Sequence, residues 1–178
     1  MWRASALNRL PTCTILPPMP QIITFLTFND QAEEAARFYT TIFPNSRITQ
    51  ITHYPDLGPE FPFKAGTVMT VAFTLDGREF VALNGGPQFS FSQGISIAVQ
   101  CDTQEQVDRY WNALLQGGGR EVACGWLTDR FGLSWQITPT ILMDAISDPD
   151  PVKVKKAMSA MMTMVKIDAE QIQRAVTK

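Results

Sequence analysis

The chain has 178 residues, 45% of them hydrophobic and 18% charged, enough for one domain with a sizeable core and too few for two full ones. Its formal net charge of −2 carries no basic excess, which argues against nucleic acid as a partner. Charged or turn residues interrupt every apolar run before the roughly 18 to 20 residues that span a bilayer, so a soluble protein without a membrane partner is expected.

Met1 to Pro18 holds Trp2, Arg3 and Arg9, no acidic residue, and precedes a second methionine, Met19. Residues 1–18 read as an N-terminal extension, expected to be disordered, either translated upstream of Met19 or a transit-like presequence. The cysteines Cys13, Cys101 and Cys124 are odd in number and far apart, so neither a disulfide framework nor a zinc cluster is expected, and a reducing cytoplasm fits.

The first module, about 20–86, opens with the apolar run Ile22 to Phe28, read as a buried strand. Asp30 and Glu33 have capping-box spacing and predict the start of a helix whose inner face is Ala32, Ala35, Tyr39 and Ile42, with Asn45 at its end. Three strands follow, Arg47 to Tyr54, Thr67 to Leu75 and Glu79 to Asn84, with Asp76-Gly77 as a tight hairpin. The loop Pro55 to Gly66 carries Phe61-Pro62-Phe63, a lid or a packing flap.

The second module, about 92–138, repeats the first at an offset of 72 residues, aligning Asp30 with Asp102, Glu33 with Glu105, Arg37 with Arg109, and Phe38-Tyr39 with Tyr110-Trp111. Its strand Ile95 to Val99 leads to a helix with Val107, Tyr110 or Trp111, and Leu114 inward, ended by Gly117 to Gly119. Short strands are expected around Arg120 to Ala123, Gly125 to Thr128 and Leu133 to Thr138, with the turn Asp129-Arg130-Phe131-Gly132. Beyond, residues 139–178 read as helices packed on the domain: Pro139 at a first helical position, Asp150-Pro151 opening a second helix, and Asp168 with Gln171 a third. Val154, Met158, Met161, Met162 and Val165 are read as one apolar face, core or subunit interface, and a homodimer is expected from it.

The predicted class is therefore α+β: two tandem β-α-β-β-β modules over residues 19–138 forming a cupped mixed sheet, with a C-terminal helical extension. This order, with Phe25-Leu26-Thr27-Phe28 through Ala35-Ala36-Arg37-Phe38-Tyr39 and with Cys124-Gly125-Trp126-Leu127-Thr128-Asp129-Arg130-Phe131-Gly132-Leu133-Ser134-Trp135-Gln136-Ile137, resembles the vicinal oxygen chelate (glyoxalase and bleomycin-resistance) superfamily. The resemblance is to its PhnB-like branch, often labelled 3-demethylubiquinone-9 3-methyltransferase. The C-terminal helices with Asp148-Pro149-Asp150-Pro151 also look like that branch.

Metal-dependent members of the superfamily hold a metal in the cup by one residue near the start of each first strand and one on each last strand. Carried over, these positions fall on Ile23, Ile95 and Gln136, and Phe80 to Asn84 offers no carboxylate or imidazole. Gln136 and Asn84 do not replace the several His, carboxylate or thiolate ligands that a divalent metal needs. The resemblance then implies a cup without metal or cofactor, lined by Phe25, Thr27, Asn84, Ser134 and Gln136, that binds a small apolar or aromatic molecule. The alternative is an enzyme of the same superfamily, a metal-dependent lyase or dioxygenase, or the methyl transfer that the label implies. Against methyl transfer, the turn after the first strand is Asn29-Asp30-Gln31-Ala32, not the glycine-rich turn of a Rossmann-type site. His53 and Cys124 are read as structural residues, with a base and a nucleophile as their functional counterparts.

Overall fold

A four-stranded sheet and one amphipathic helix cannot bury all their apolar faces alone, and the duplicated unit solves this by stacking. The structure, a computed structural model, describes residues 22–177. The N-terminal extension read over residues 1–18 lies outside the described residues. The first module comprises β1 (Thr24–Phe28), α1 (Ala32–Ile42), β2 (Arg47–His53), β3 (Val68–Leu75) and β4 (Arg78–Asn84). The second comprises β5 (Ser96–Cys101), α2 (Gln104–Leu115), β6 (Arg120–Glu121), β7 (Trp126–Thr128) and β8 (Ser134–Pro139). Each forms a four-stranded mixed sheet, ordered β1-β4-β3-β2 and β5-β8-β7-β6, with the first strand parallel to the last and the others antiparallel. The α+β class and the duplicated order are as the sequence reads.

Helix α1 lies on its own sheet through the buried Ala32, Ala35, Ala36, Tyr39 and Ile42, and reaches the second module through rings: Tyr39 and Phe43 both lie 5.4 Å from Trp135 of β8. Helix α2 buries Val107, Trp111 and Leu114. The helix-side residues of both sheets join one core, from Leu26, Phe28, Val71 and Phe73 to Leu127, Trp135 and Ile137. The helices thus lie between the two sheets, whose other faces look outward. Burying each such Leu, Ile or Phe contributes about 1.5–3 kcal/mol before conformational entropy is counted.

The predicted helix starts need correction. The pair Asp30–Glu33 does not cap α1: Gln31 holds the N-cap position without a side-chain bond, and the free amide of Ala32 donates instead to Asn84 Oδ1 at 2.8 Å. A tertiary acceptor from β4 has replaced the local one. In α2 the cap is one residue later than Asp102–Glu105: Thr103 accepts from the Gln106 amide, and Gln106 Oε1 accepts from the Asp102 amide at 2.8 Å. Pro139 is not a first helical residue. Its extended backbone pairs with Cys101 at the end of β8, and α3 runs Thr140–Ile146.

The C-terminal segment adds α4 (Pro151–Met161), capped by Asp150 with Pro151 in the first turn, and α5 (Ala169–Thr177), where Asp168 accepts from the Gln171 amide at 2.9 Å. The methionine stripe is not one buried face. Helix α4 buries Ala157 and ends at Met161, leaving Met158, Met162 and Val165 exposed. The reason is that the chain at 164–165 is held beside the second module, where the amides of Cys124 and Gly125 donate to the carbonyls of Met164 and Val165, and Met164 and Ile167 turn inward. Among the described residues no helix is long and apolar enough to cross a membrane.

Candidate functional site

Strand register decides which predicted site residues share a face, because directly paired residues point to the same side of a sheet. In the first sheet Phe28 pairs with Asn84 and Leu26 with Ala82, and these face the helix. Phe25 pairs with Val81 and Thr27 with Leu83, so these face outward. Phe25 is 58% exposed, and Ile22 and Ile23 before it are exposed as well. Phe89 lies over Thr27 across Gly85, where a Cβ would stand 2.6 Å from Thr27 Cγ2 and 3.0 Å from the Phe89 ring. The open face of this sheet is apolar along its outer strand β1.

In the second sheet Ser96 pairs with Ser134, which pairs with Thr128, while Gln136 lies between Ala98 and Trp126. Trp135 and Ile137 point to the helix side and are buried. The open face therefore carries Ser96, Ser134 and Gln136 together, and Gln136 Nε2 donates to Ser96 Oγ at 2.7 Å.

The structure thus joins Phe25 with Thr27 on one open face and Ser134 with Gln136 on the other, and within one chain the two faces look away from each other. Asn84 belongs to neither. Its Oδ1 caps α1, its Nδ2 donates to the Val68 carbonyl at 3.0 Å, and its side chain helps wall a cavity of about 690 Å³. That cavity lies between the start of α1 and the loops at 62–67 and 86–88, with Asp30, Glu33, Lys64 and Gln88 in its lining. The Phe61-Pro62-Phe63 loop beside it is packed: Phe63 stacks on Tyr54 at 4.4 Å, and the Tyr54 hydroxyl donates to the Asn84 carbonyl at 2.5 Å.

His53 is exposed at the end of the edge strand β2, in the sheet that does not carry Gln136. Cys124 is half-buried between β6 and β7, 3.8 Å from Met162 Sδ, and its backbone is held at φ 61° by the bond to Met164. Cys101 is buried, and burial, with Asp102 next to it, pushes its thiol up to about 11, too high to supply thiolate near neutrality.

The positions that the resemblance assigns to a metal do not fit one. Ile23 and Ile95 are exposed isoleucines, Asn84 faces the other way, and Gln136 alone carries a donor oxygen. Among the described residues no group of three His, Cys, Asp or Glu side chains could hold an ion.

A buried carboxylate escaped the sequence reading. Asp129 is 3% exposed and accepts from Tyr39 Oη and Trp135 Nε1, each at 2.8 Å, and from the amides of Phe131 and Leu133. Burial raises its pKa, against the lowering effect of these four donors, and burial likewise holds the Tyr39 hydroxyl well above 10. Its partners are all structural, and it joins the modules.

The sequence profile of the 3-demethylubiquinone-9 3-methyltransferase family matches residues 20–138, both modules from first strand to last. The chain belongs to that family. Among solved structures, a PhnB protein of Bacillus cereus bearing the family's methyltransferase description is 37% identical, with 67% of this chain and 99% of that chain covered and a TM-score of 0.60. Protein PA1353 of Pseudomonas aeruginosa is 23% identical over 68% of this chain and 98% of its own, with a TM-score of 0.54, and supports the fold alone. No protein of curated function matches. The PhnB-like, 3-demethylubiquinone-9 3-methyltransferase family that the resemblance named is thus shown. The family match stops at Thr138, so it does not carry the likeness read into helices α3–α5.

Proposed function

We propose that this PhnB-like protein binds a small apolar or aromatic molecule in a metal-free cup, and that a second copy of the chain completes the cup. The observation that carries the reading is the exposed apolar strand β1. Ile23 and Phe25 are exposed on the open face, at the edge of a sheet whose outer backbone groups have no strand beside them among the described residues. Strand β5 presents the matching edge of the other sheet, with Ile95 exposed at its start. Edges of this kind favour pairing. Pairing β1 of one copy with β5 of another brings an apolar half and a polar half of the cup together, which one chain cannot do with outward faces.

Ile23, at one of the superfamily's metal positions, makes its side of the cup apolar, and Gln136 orients the ligand by hydrogen bonding. Three measurements test this reading. Light scattering should report a dimer at micromolar concentration, and native mass spectrometry of protein purified without added ligand should reveal a retained small molecule. Elemental analysis should find no stoichiometric metal. A monomer, or zinc, nickel, iron or manganese near one equivalent, would overturn it. The methyl-transfer reading predicts micromolar binding of S-adenosylmethionine, and a calorimetric titration without heat at high concentration ends it.

A further inference from the structure

The hydrogen bond inside the polar half of the proposed cup has a direction. Gln136 Nε2 donates to Ser96 Oγ, so the Ser96 hydroxyl proton and Gln136 Oε1 are left without a partner among the described residues. One is a donor and the other an acceptor, side by side on the same face. Next to Ser96 on the ladder, Ser134 is 1% exposed and its Oγ meets no hydrogen-bond partner among the described residues. An unpaired buried hydroxyl is a standing cost, and a ligand oxygen entering between these side chains relieves it. Gln136 pairs directly with the half-buried Trp126, whose side chain therefore lies on the same face. Arg120 shares this face through its pairing with Thr128, but it stands two strands beyond Ser134, roughly 10 Å away at the spacing of paired strands.

We propose that Ser96, Ser134 and Gln136 form a receptor for a neutral carboxamide on an aromatic ligand. The ligand carbonyl accepts from Ser96 and Ser134, the ligand NH₂ donates to Gln136 Oε1, and the ring lies against Trp126. A carboxylate fits less well, because Gln136 Oε1 offers it no proton and repels its charge where the amide NH₂ donates. The assignment rests on the cup reading above and narrows it to a class of ligand.

The test uses benzamide, benzoate and toluene as probes of the full-length protein, with affinities from amide chemical-shift titrations. Benzamide should bind about tenfold more tightly than toluene, as expected for hydrogen bonds that toluene cannot make. Ser96→Ala and Gln136→Leu should abolish that preference while leaving toluene binding in place. Gln136→Met, close in length and without a strong hydrogen-bonding group, serves if the leucine variant does not fold, and should likewise lose the benzamide preference. Equal binding of benzamide and toluene overturns the carboxamide receptor and leaves the apolar cup standing. Tighter binding of benzoate also overturns it, in favour of Arg120 as the anchor. If none of the three binds, the receptor falls together with the cup.

Discussion

The Tyr39 hydroxyl, on the helix of the first module, donates at 2.8 Å to Oδ2 of Asp129 in the last turn of the second. The same oxygen accepts from Trp135 Nε1, while Oδ1 takes the Phe131 and Leu133 amides, so one carboxylate orders the 129–133 turn and ties it to α1. Arg130 beside it pairs with Glu34 at 2.9 Å and lies over the Phe38 ring at 4.4 Å. The contact between modules is therefore polar at its centre and aromatic around it.

Removing this carboxylate strands four donors in a dry core. Asp129→Ala should cost about 3–5 kcal/mol, the range for breaking a buried charged network, and Tyr39→Phe about 1.5–3 kcal/mol for one bond to a charged acceptor. Because the two share a bond, the double variant should lose less than the sum of the singles. Urea unfolding of all four proteins measures the coupling, and strict additivity would show that the bond contributes nothing.

Stability should carry the signature of this carboxyl as pH changes. Burial raises the Asp129 pKa, so the folded protein keeps that proton to higher pH than the unfolded chain does. Its contribution is then fully present below the ordinary carboxylate value of ~4 and is lost as pH rises through the raised folded value. Asp108 acts in the opposite sense. The hydrogen bond from Lys166 lowers its pKa, so its contribution is present above the ordinary value and is lost as pH falls through the depressed one. Asp129→Asn should be less stable throughout and should lack the wild-type decline above pH ~4. Denaturation midpoints across pH 3 to 8 that run parallel for the two proteins would reject this assignment.

The repeat was legible because it rests on local signals: helix-facing residues such as Tyr39 and Trp111 recur at the same offset and are buried. Strand alternation likewise placed Ser134 with Gln136 and sent Trp135 inward. Asn84 carried a usable signal that was passed over, since it shares parity with Phe80 and Ala82, which line the core. Asp129 was less accessible. An aspartate before Arg-Phe-Gly reads as an ordinary turn former, and its decisive partner lies 90 residues away. Only Trp135, whose buried indole N–H needs an acceptor, hinted at it.

Asn84 holds the start of α1 from a distance. Asn84→Ala removes the acceptor for the Ala32 amide and the donor to the Val68 carbonyl, and should cost about 1–2 kcal/mol, the scale of a lost helix cap. Asn84→Asp keeps the acceptor and should recover part of that loss. Hydrogen exchange should place the effect in the first turn of α1. Faster exchange spread evenly over both modules would mean that the residue supports the whole core instead.

Gln104 of α2 clamps the segment that leads into α5, beside the backbone bonds from Cys124 and Gly125 to Met164 and Val165. Gln104 Nε2 donates to the Ile167 carbonyl at 3.2 Å, and its Oε1 accepts from the Ala169 amide at 2.9 Å, while Lys166 pairs with Asp108 one turn further along. Below this clamp Leu142, Ala157, Met164, Ile167 and Ile172 form an apolar cluster separate from the main core. A separate cluster can open on its own, at a lower free energy than the whole domain. Gln104→Ala should therefore raise amide exchange across 164–177 roughly tenfold, from about 1–2 kcal/mol of lost bonding, while the first sheet keeps its protection. If exchange in the first sheet rose in step, the C-terminal helices would be part of the global folding unit, and the clamp would hold the domain as a whole.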